Sequence, residues 1–141
     1  MTNATTMSGY VMFRLGEREF AAMLDGVREV LRLEGLVALP GMTAPMAGVV
    51  ELRGTPLPVM DLRAADSQRG DVLVLTAGDD AMGVAVDGVV AVRDAGELRP
   101  GPDSSVPAGL PSYVVEVLRD TATDKPVLLV DLHRMLELVA A

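Results

Sequence analysis

The feature that most constrains this chain is that it repeats itself. Shifted by 62 residues, the sequence matches itself without gaps over residues 13–30. Phe13-Arg14-Leu15-Gly16 falls on Leu75-Thr76-Ala77-Gly78, Phe20 on Met82 and Leu24 on Val86. Asp25-Gly26-Val27 falls on Asp87-Gly88-Val89, and Val30 on Val92. With a few inserted residues, Val49-Val50-Glu51 meets Val114-Val115-Glu116, and Val59-Met60-Asp61-Leu62 meets Leu129-Val130-Asp131-Leu132. A repeat in this order implies two similar small units, about 10–63 and 71–134, joined by residues 64–70. Each unit alone is near the size at which a core becomes marginal, so packing one against the other supplies the missing burial. Phe13 and Leu75 are then expected in equivalent buried positions, as are Phe20 and Met82.

The units read as strands. In Tyr10–Leu15 the apolar residues Val11, Phe13 and Leu15 alternate, which is the period of a half-buried strand. Gly16-Glu17 gives a turn and Glu19–Leu24 the return. Further strands are expected at Leu36–Leu39, Ala47–Leu52, Leu57–Asp61, Val72–Thr76, Met82–Val86, Val89–Arg93, Tyr113–Leu118 and Val127–Asp131. Short strands at regular spacing point to a barrel or sandwich. Val27, Val30 and Leu31 have helical spacing behind Asp25, which suggests a short helix, and Leu132–Val139 a closing one. Pro56 and Pro58 have no N–H and face the same side of their strand, so that side is expected at an edge or a crossover.

Little here supports chemistry. The chain has no cysteine and one histidine, His133, which excludes thiolate sites and histidine-rich metal sites. Its net charge of −8 argues against a nucleic-acid partner. No phosphate loop, nucleophile elbow or nucleophile–base pair occurs. His133 is two residues from Asp131, a spacing that does not face side chains together on a helix, so it reads as a surface histidine. Asp61, Asp87 and Asp131 follow strand-like runs; they read as turn residues or helix caps in preference to an acidic metal cluster. No cofactor is expected. Residues 1–9 lack a basic cluster and an apolar run, so they read as a flexible N-terminus and not a signal peptide. No stretch is long and apolar enough to span a bilayer, and a cytoplasmic protein is expected.

Two features suit a binding surface. The Val27–Leu31 stripe fits a core or a partner-facing surface. Arg53, in Glu51-Leu52-Arg53-Gly54 between two strands, is either a plain surface arginine or an interface anchor, for which its planar, multidentate charge is suited.

At Pro40-Gly41, Gly48-Val49-Val50-Glu51-Leu52-Arg53-Gly54 and Pro58-Val59-Met60-Asp61-Leu62-Arg63, the chain resembles the CheW family of chemotaxis adaptors. Met82-Gly83-Val84-Ala85-Val86-Asp87-Gly88-Val89 and Val127-Leu128-Leu129-Val130-Asp131-Leu132 add to the match, which spans roughly residues 10–138. The resemblance implies an all-β fold of two intertwined, SH3-like, five-stranded β-barrels with short helices. It implies no catalysis. It implies a cytoplasmic adaptor, recruited to membrane-associated arrays, that couples chemoreceptors to a CheA-type histidine kinase. The partners would be the kinase's regulatory domain and the helical hairpin tip of a receptor, docked in a groove between the barrels. The positions it implicates are Arg53, Val27, Glu29, Val30, Gly48 and Val86. The alternative is a diverged scaffold of another kinase-linked system, such as pili motility or development; a small β-barrel enzyme or ligand binder lacks the catalytic residues. Glu51 and Glu116 depart from the asparagine and glycine usual in the family, and segment 64–70 is short.

Charge divides unevenly along the chain. Residues 1–70 carry eight acids and seven bases, residues 71–141 twelve and five. If the halves are separate surfaces, the acidic one, with Asp103, Asp120 and Asp124, is expected to meet a basic partner in a salt-sensitive way.

Overall fold

A computed structural model describes residues 9–65, 67–101 and 106–137. The elements are β1 (Gly9–Leu15), β2 (Arg18–Met23), a 3-10 turn (Leu24–Gly26), β3 (Glu29–Arg32), β4 (Met46–Leu52) and β5 (Thr55–Asp61). Then come β6 (Asp71–Ala77), β7 (Asp80–Val86), β8 (Gly88–Asp94), a second 3-10 turn (Ala95–Glu97), β9 (Leu98–Pro100), β10 (Val114–Asp120), β11 (Pro126–Val130) and α1 (Leu132–Leu136). Residues 1–8 of the expected flexible terminus lie outside the described residues; Gly9 already belongs to β1. Residues 138–139 of the expected closing helix also lie outside them.

The 62-residue repeat is visible in the hairpins. β1–β2 and β6–β7 begin and turn at equivalent residues, and Phe13 pairs with Phe20 as Leu75 pairs with Met82. Phe13 and Leu75 are both fully buried, and Phe20 is buried; Met82 is only half-buried. The rings of Phe13 and Phe20 stack with centroids 5.7 Å apart.

The fold is all-β, in two curled sheets that form two SH3-like barrels. One sheet runs β8-β1-β2-β11-β10-β9, the other β3-β6-β7-β5-β4. Each therefore combines a hairpin from one half of the sequence with strands from the other. The hairpins explain why. Their strands are apolar on both faces, so one face fills a barrel and the other must meet a second sheet. On β1, Met12 faces the interior of its own barrel while Val11 and Phe13 face the seam. On β6, Val72 and Val74 fill the second barrel while Leu73 and Leu75 face the seam. The seam also takes Met60, Val84, Val86, Leu128 and Val130, and α1 closes it with Leu132 and Met135.

Several expectations are corrected. The Val27–Leu31 stripe is not a helix: a 3-10 turn ends at Gly26 and Glu29–Arg32 is a strand paired with β6. An i, i+3, i+4 spacing over five residues does not separate the two periods. Leu36–Leu39 forms only a single bridge, Val37 to Val49. β5 is not at a sheet edge, since it lies between β7 and β4. Its proline side does mark a crossover, because the parallel ladder to β7 begins at Val59, past both prolines. The pairing of Val49-Val50-Glu51 with Val114-Val115-Glu116 is displaced. Register with β5 and β11 places Gly48 opposite Val59 and Glu116 opposite Leu129, so Gly48 matches Glu116, each at a bulge.

The uneven charge disappears as well. Residues 27–87, which build the β3–β7 barrel, carry nine acids and five bases, while residues 9–26 and 88–137 carry eleven and seven. Strand exchange thus gives both barrels a net charge of −4. Asp120, expected on an acidic surface, is 3% exposed and ion-paired. Asp103 lies outside the described residues, and Asp124 is an exposed turn residue with φ +58°.

Candidate functional site: a cleft between the barrels

Where the seam reaches the surface beside α1, it opens into a cleft of about 720 Å³. Its apolar wall is made by Met23 at the end of β2, Val27, Leu75 on β6, Leu129 on β11 and Leu132 and Leu136 on α1. Asp25, Arg28, Asp131 and His133 add charge and polarity. Met23 is 43% exposed and Val115, also on the cleft, 37%, so apolar surface is left uncovered there. The residues come from segments some hundred positions apart, brought together by the strand exchange. An apolar trough with charged borders has the shape and chemistry of grooves that take amphipathic helices. Among the described residues no cluster of carboxylates or histidines is arranged to hold a metal ion.

The expected acidic residues are turn and cap residues. Asp131 caps α1, accepting the His133 N–H at 2.9 Å and the Arg134 N–H at 3.3 Å. Asp61 accepts the Arg63 N–H at 3.0 Å, the same bond one repeat earlier, and a bidentate pair from the Arg63 guanidinium at 3.0 and 2.9 Å. Asp87 accepts the Gly16 N–H at 2.6 Å, the Ala64 N–H and the Ser67 hydroxyl. Burial pushes the Asp87 carboxyl up, but those donors and the charge of Arg14 outweigh it and hold it below the usual range. His133 is exposed, as expected.

Of the six implicated positions, Val27 lines the cleft and is half-buried. Val30 is 42% exposed on the outer face of β3 and does not line the cleft. Glu29 and Arg53 meet each other. Arg53 donates to Glu29 through both terminal nitrogens, at 3.2 and 2.5 Å, with its side chain 68% exposed. Glu29 lies on one edge strand of its sheet and Arg53 at the end of the other, so the pair spans the closure of the barrel. Arg53 has φ +48° and Gly54 φ +83°, the two left-handed residues of a tight hairpin turn. The hydrogen bonds from Arg53 hold the Glu29 carboxyl below its ordinary range.

Two positions need correction. Val86 is fully buried in the seam, so its side chain cannot touch a partner. Gly48 is buried too, and its glycine is a structural requirement. Its φ of +154° disfavours any other residue, and a Cβ there would overlap the Val37 carbonyl. Sequence reasoning missed the counterpart of the Glu29–Arg53 closure in the other barrel. There Arg93 on β8 pairs with Asp120 at 2.9 Å and Glu97 at 2.9 Å, with polarity reversed and the pair largely buried. The bond from Arg93 dominates in holding the Asp120 carboxyl low. Asp25 also lines the cleft, and the signal for it in the sequence is its repeat partner Asp87.

The CheW-like domain family matches residues 9–140. The chain is 26% identical to the chemotaxis protein CheW of Klebsiella aerogenes, over 96% of this chain and 86% of that one. It is 31% identical to the chemotaxis protein CheW of Rhizobium meliloti, over 73% and 76% of the two chains. Its fold is similar to that of the scaffolding protein TtCheW from Thermoanaerobacter tengcongensis, with a TM-score of 0.73, 22% identity and 95% of each chain covered. With the duplicated hairpins, the exchanged strands and the tight turn at Arg53 all in place, the chain belongs to the CheW-like domain family, whose members are non-catalytic scaffolds of chemotaxis.

Proposed function

We propose that this chain couples the cytoplasmic tip of a chemoreceptor to the regulatory domain of a CheA-type histidine kinase, within membrane-associated arrays on the cytoplasmic side. The observation that carries this reading is the open cleft between the barrels. Its apolar wall, left open at Met23 and Val115, has charged borders and is built from segments of both barrels. A receptor tip, an antiparallel helical hairpin, lays an apolar helix face on Val27, Leu129 and Leu136. The exposed Arg53–Glu29 pair and Val30, outside the cleft, belong to the second surface, which contacts the kinase. Among the described residues no helix is long and apolar enough to cross a membrane.

Val27→Asp tests the cleft directly. A charge on its apolar wall abolishes binding of a soluble receptor-tip fragment and leaves binding of the kinase regulatory domain and the circular-dichroism spectrum unchanged. Retained receptor binding by the folded variant refutes the docking reading.

A further inference from the structure

The repeat places Asp25 where the second copy has Asp87, and Gly78 where the first copy has Gly16. The two sets behave differently. Asp87 is a clasp: it takes the Gly16 N–H of the β1–β2 turn, the Ala64 N–H and the Ser67 hydroxyl, and so closes one side of the junction between the barrels. Asp25 is exposed, and none of the side-chain hydrogen bonds among the described residues ends on its carboxylate. Its equivalent turn residue, Gly78, lines the same cleft without being bonded to it.

The donors it lacks can be followed. In the first copy Arg63 N–H goes to Asp61, and the next N–H, Ala64, goes to Asp87. Their equivalents past Asp131 are His133 and Arg134. Here α1 replaces the loop, and both N–H groups go to Asp131 as the helix cap. The donor that would have reached Asp25 is thus consumed. The cleft is the unclosed copy of a junction that the other copy closes.

We infer that Asp25 is a recognition residue for the segment that docks in this cleft, accepting its N–H or hydroxyl donors as Asp87 accepts those of the β1–β2 turn and residues 64–67. The inference rests on the docking reading above. The occupant has the chemistry required, because the turn of a helical hairpin exposes the first N–H groups of its second helix, which have no intrahelical partner. A carboxylate is also favoured there by the helix dipole. Asp25 then sets orientation and specificity, while Val27 and the apolar wall supply burial.

Titration of a soluble receptor-tip fragment against Asp25→Ala, Asp25→Asn and Val27→Asp tests the inference. Asp25→Ala weakens binding by about tenfold or more, the usual loss for a hydrogen bond to a charged group, and Asp25→Asn, which keeps an acceptor oxygen, by less. The melting temperature and the affinity for the kinase regulatory domain stay at the wild-type values. Wild-type receptor affinity in Asp25→Ala, with binding lost in Val27→Asp, overturns the role of Asp25 and leaves the cleft reading standing. A lowered melting temperature in Asp25→Ala also overturns it, since the carboxylate would then be bonded within the chain. Wild-type binding by Val27→Asp removes the docking reading and Asp25's role together.

Discussion

Phe13→Ala probes the seam at its centre. Phe13 is fully buried, is the largest of the fully buried side chains, and stacks on Phe20 at 5.7 Å between centroids. A buried phenylalanine removes about 150 Å² or more from water, and at ~25 cal/mol per Å² losing most of it costs about 3 kcal/mol. The lost ring pair adds ~1 kcal/mol. The total of ~4 kcal/mol lies within the roughly 3–5 kcal/mol typical of buried Phe→Ala changes. That is a large part of the ~5–15 kcal/mol by which domains are stable. Leu75→Ala, at the equivalent position of the other hairpin, costs about 2–5 kcal/mol for the same reason. Urea denaturation followed by circular dichroism measures both. Because the seam belongs to both barrels, each variant shows one cooperative transition, shifted to lower denaturant with an unchanged slope. A cost below ~1 kcal/mol for Phe13→Ala, or two separate transitions, refutes the shared core.

Three further outcomes follow from the geometry. Arg53→Ala leaves the melting temperature nearly unchanged, because its ion pair is exposed, yet weakens ternary assembly with kinase and receptor by roughly tenfold or more; pull-down from purified components reads this. Gly48→Ala destabilises by about 1–3 kcal/mol or more, from the backbone conformation and the approach of Val37, measured by thermal melting. Acidification destabilises the fold through Asp61, Asp87 and Asp120, whose carboxyls are all held low in the folded state. Their contribution is complete above the ordinary carboxylate range and is lost as pH falls through the lowered folded values. Asp87→Asn and Asp120→Asn therefore each flatten the acid limb of a stability–pH curve.

Much of this architecture is legible in the chain because strands with two apolar faces leave a strong pattern. Val11-Met12-Phe13 and Val72-Leu73-Val74-Leu75 announce both a barrel interior and a seam, and the repeat announces two barrels. Registers were harder. The bulges before Gly48 and Glu116 add residues that a linear alignment distributes wrongly, and the error is three positions. β3 carries a helical signal because apolar spacing over five residues suits either period. The charge pattern misled for a topological reason: exchange of the hairpins redistributes −1 and −7 into two equal shares. The site was only partly visible. Val27 could be named from its motif, but the cleft joins residues 23–28 to 75–78 and 129–136, and only the folded chain brings them together. Val86 and Gly48 belong to the same motifs for reasons of packing and backbone approach, which a motif cannot separate from contact with a partner.

The central claim is coupling, and kinase output measures it most directly. Autophosphorylation of a CheA-type kinase is followed with receptor-bearing membranes, with and without this chain. Receptor control of the kinase is expected only when all three are present, and is lost with Val27→Asp. Equal kinase activity and equal receptor response in the absence of the chain would contradict it.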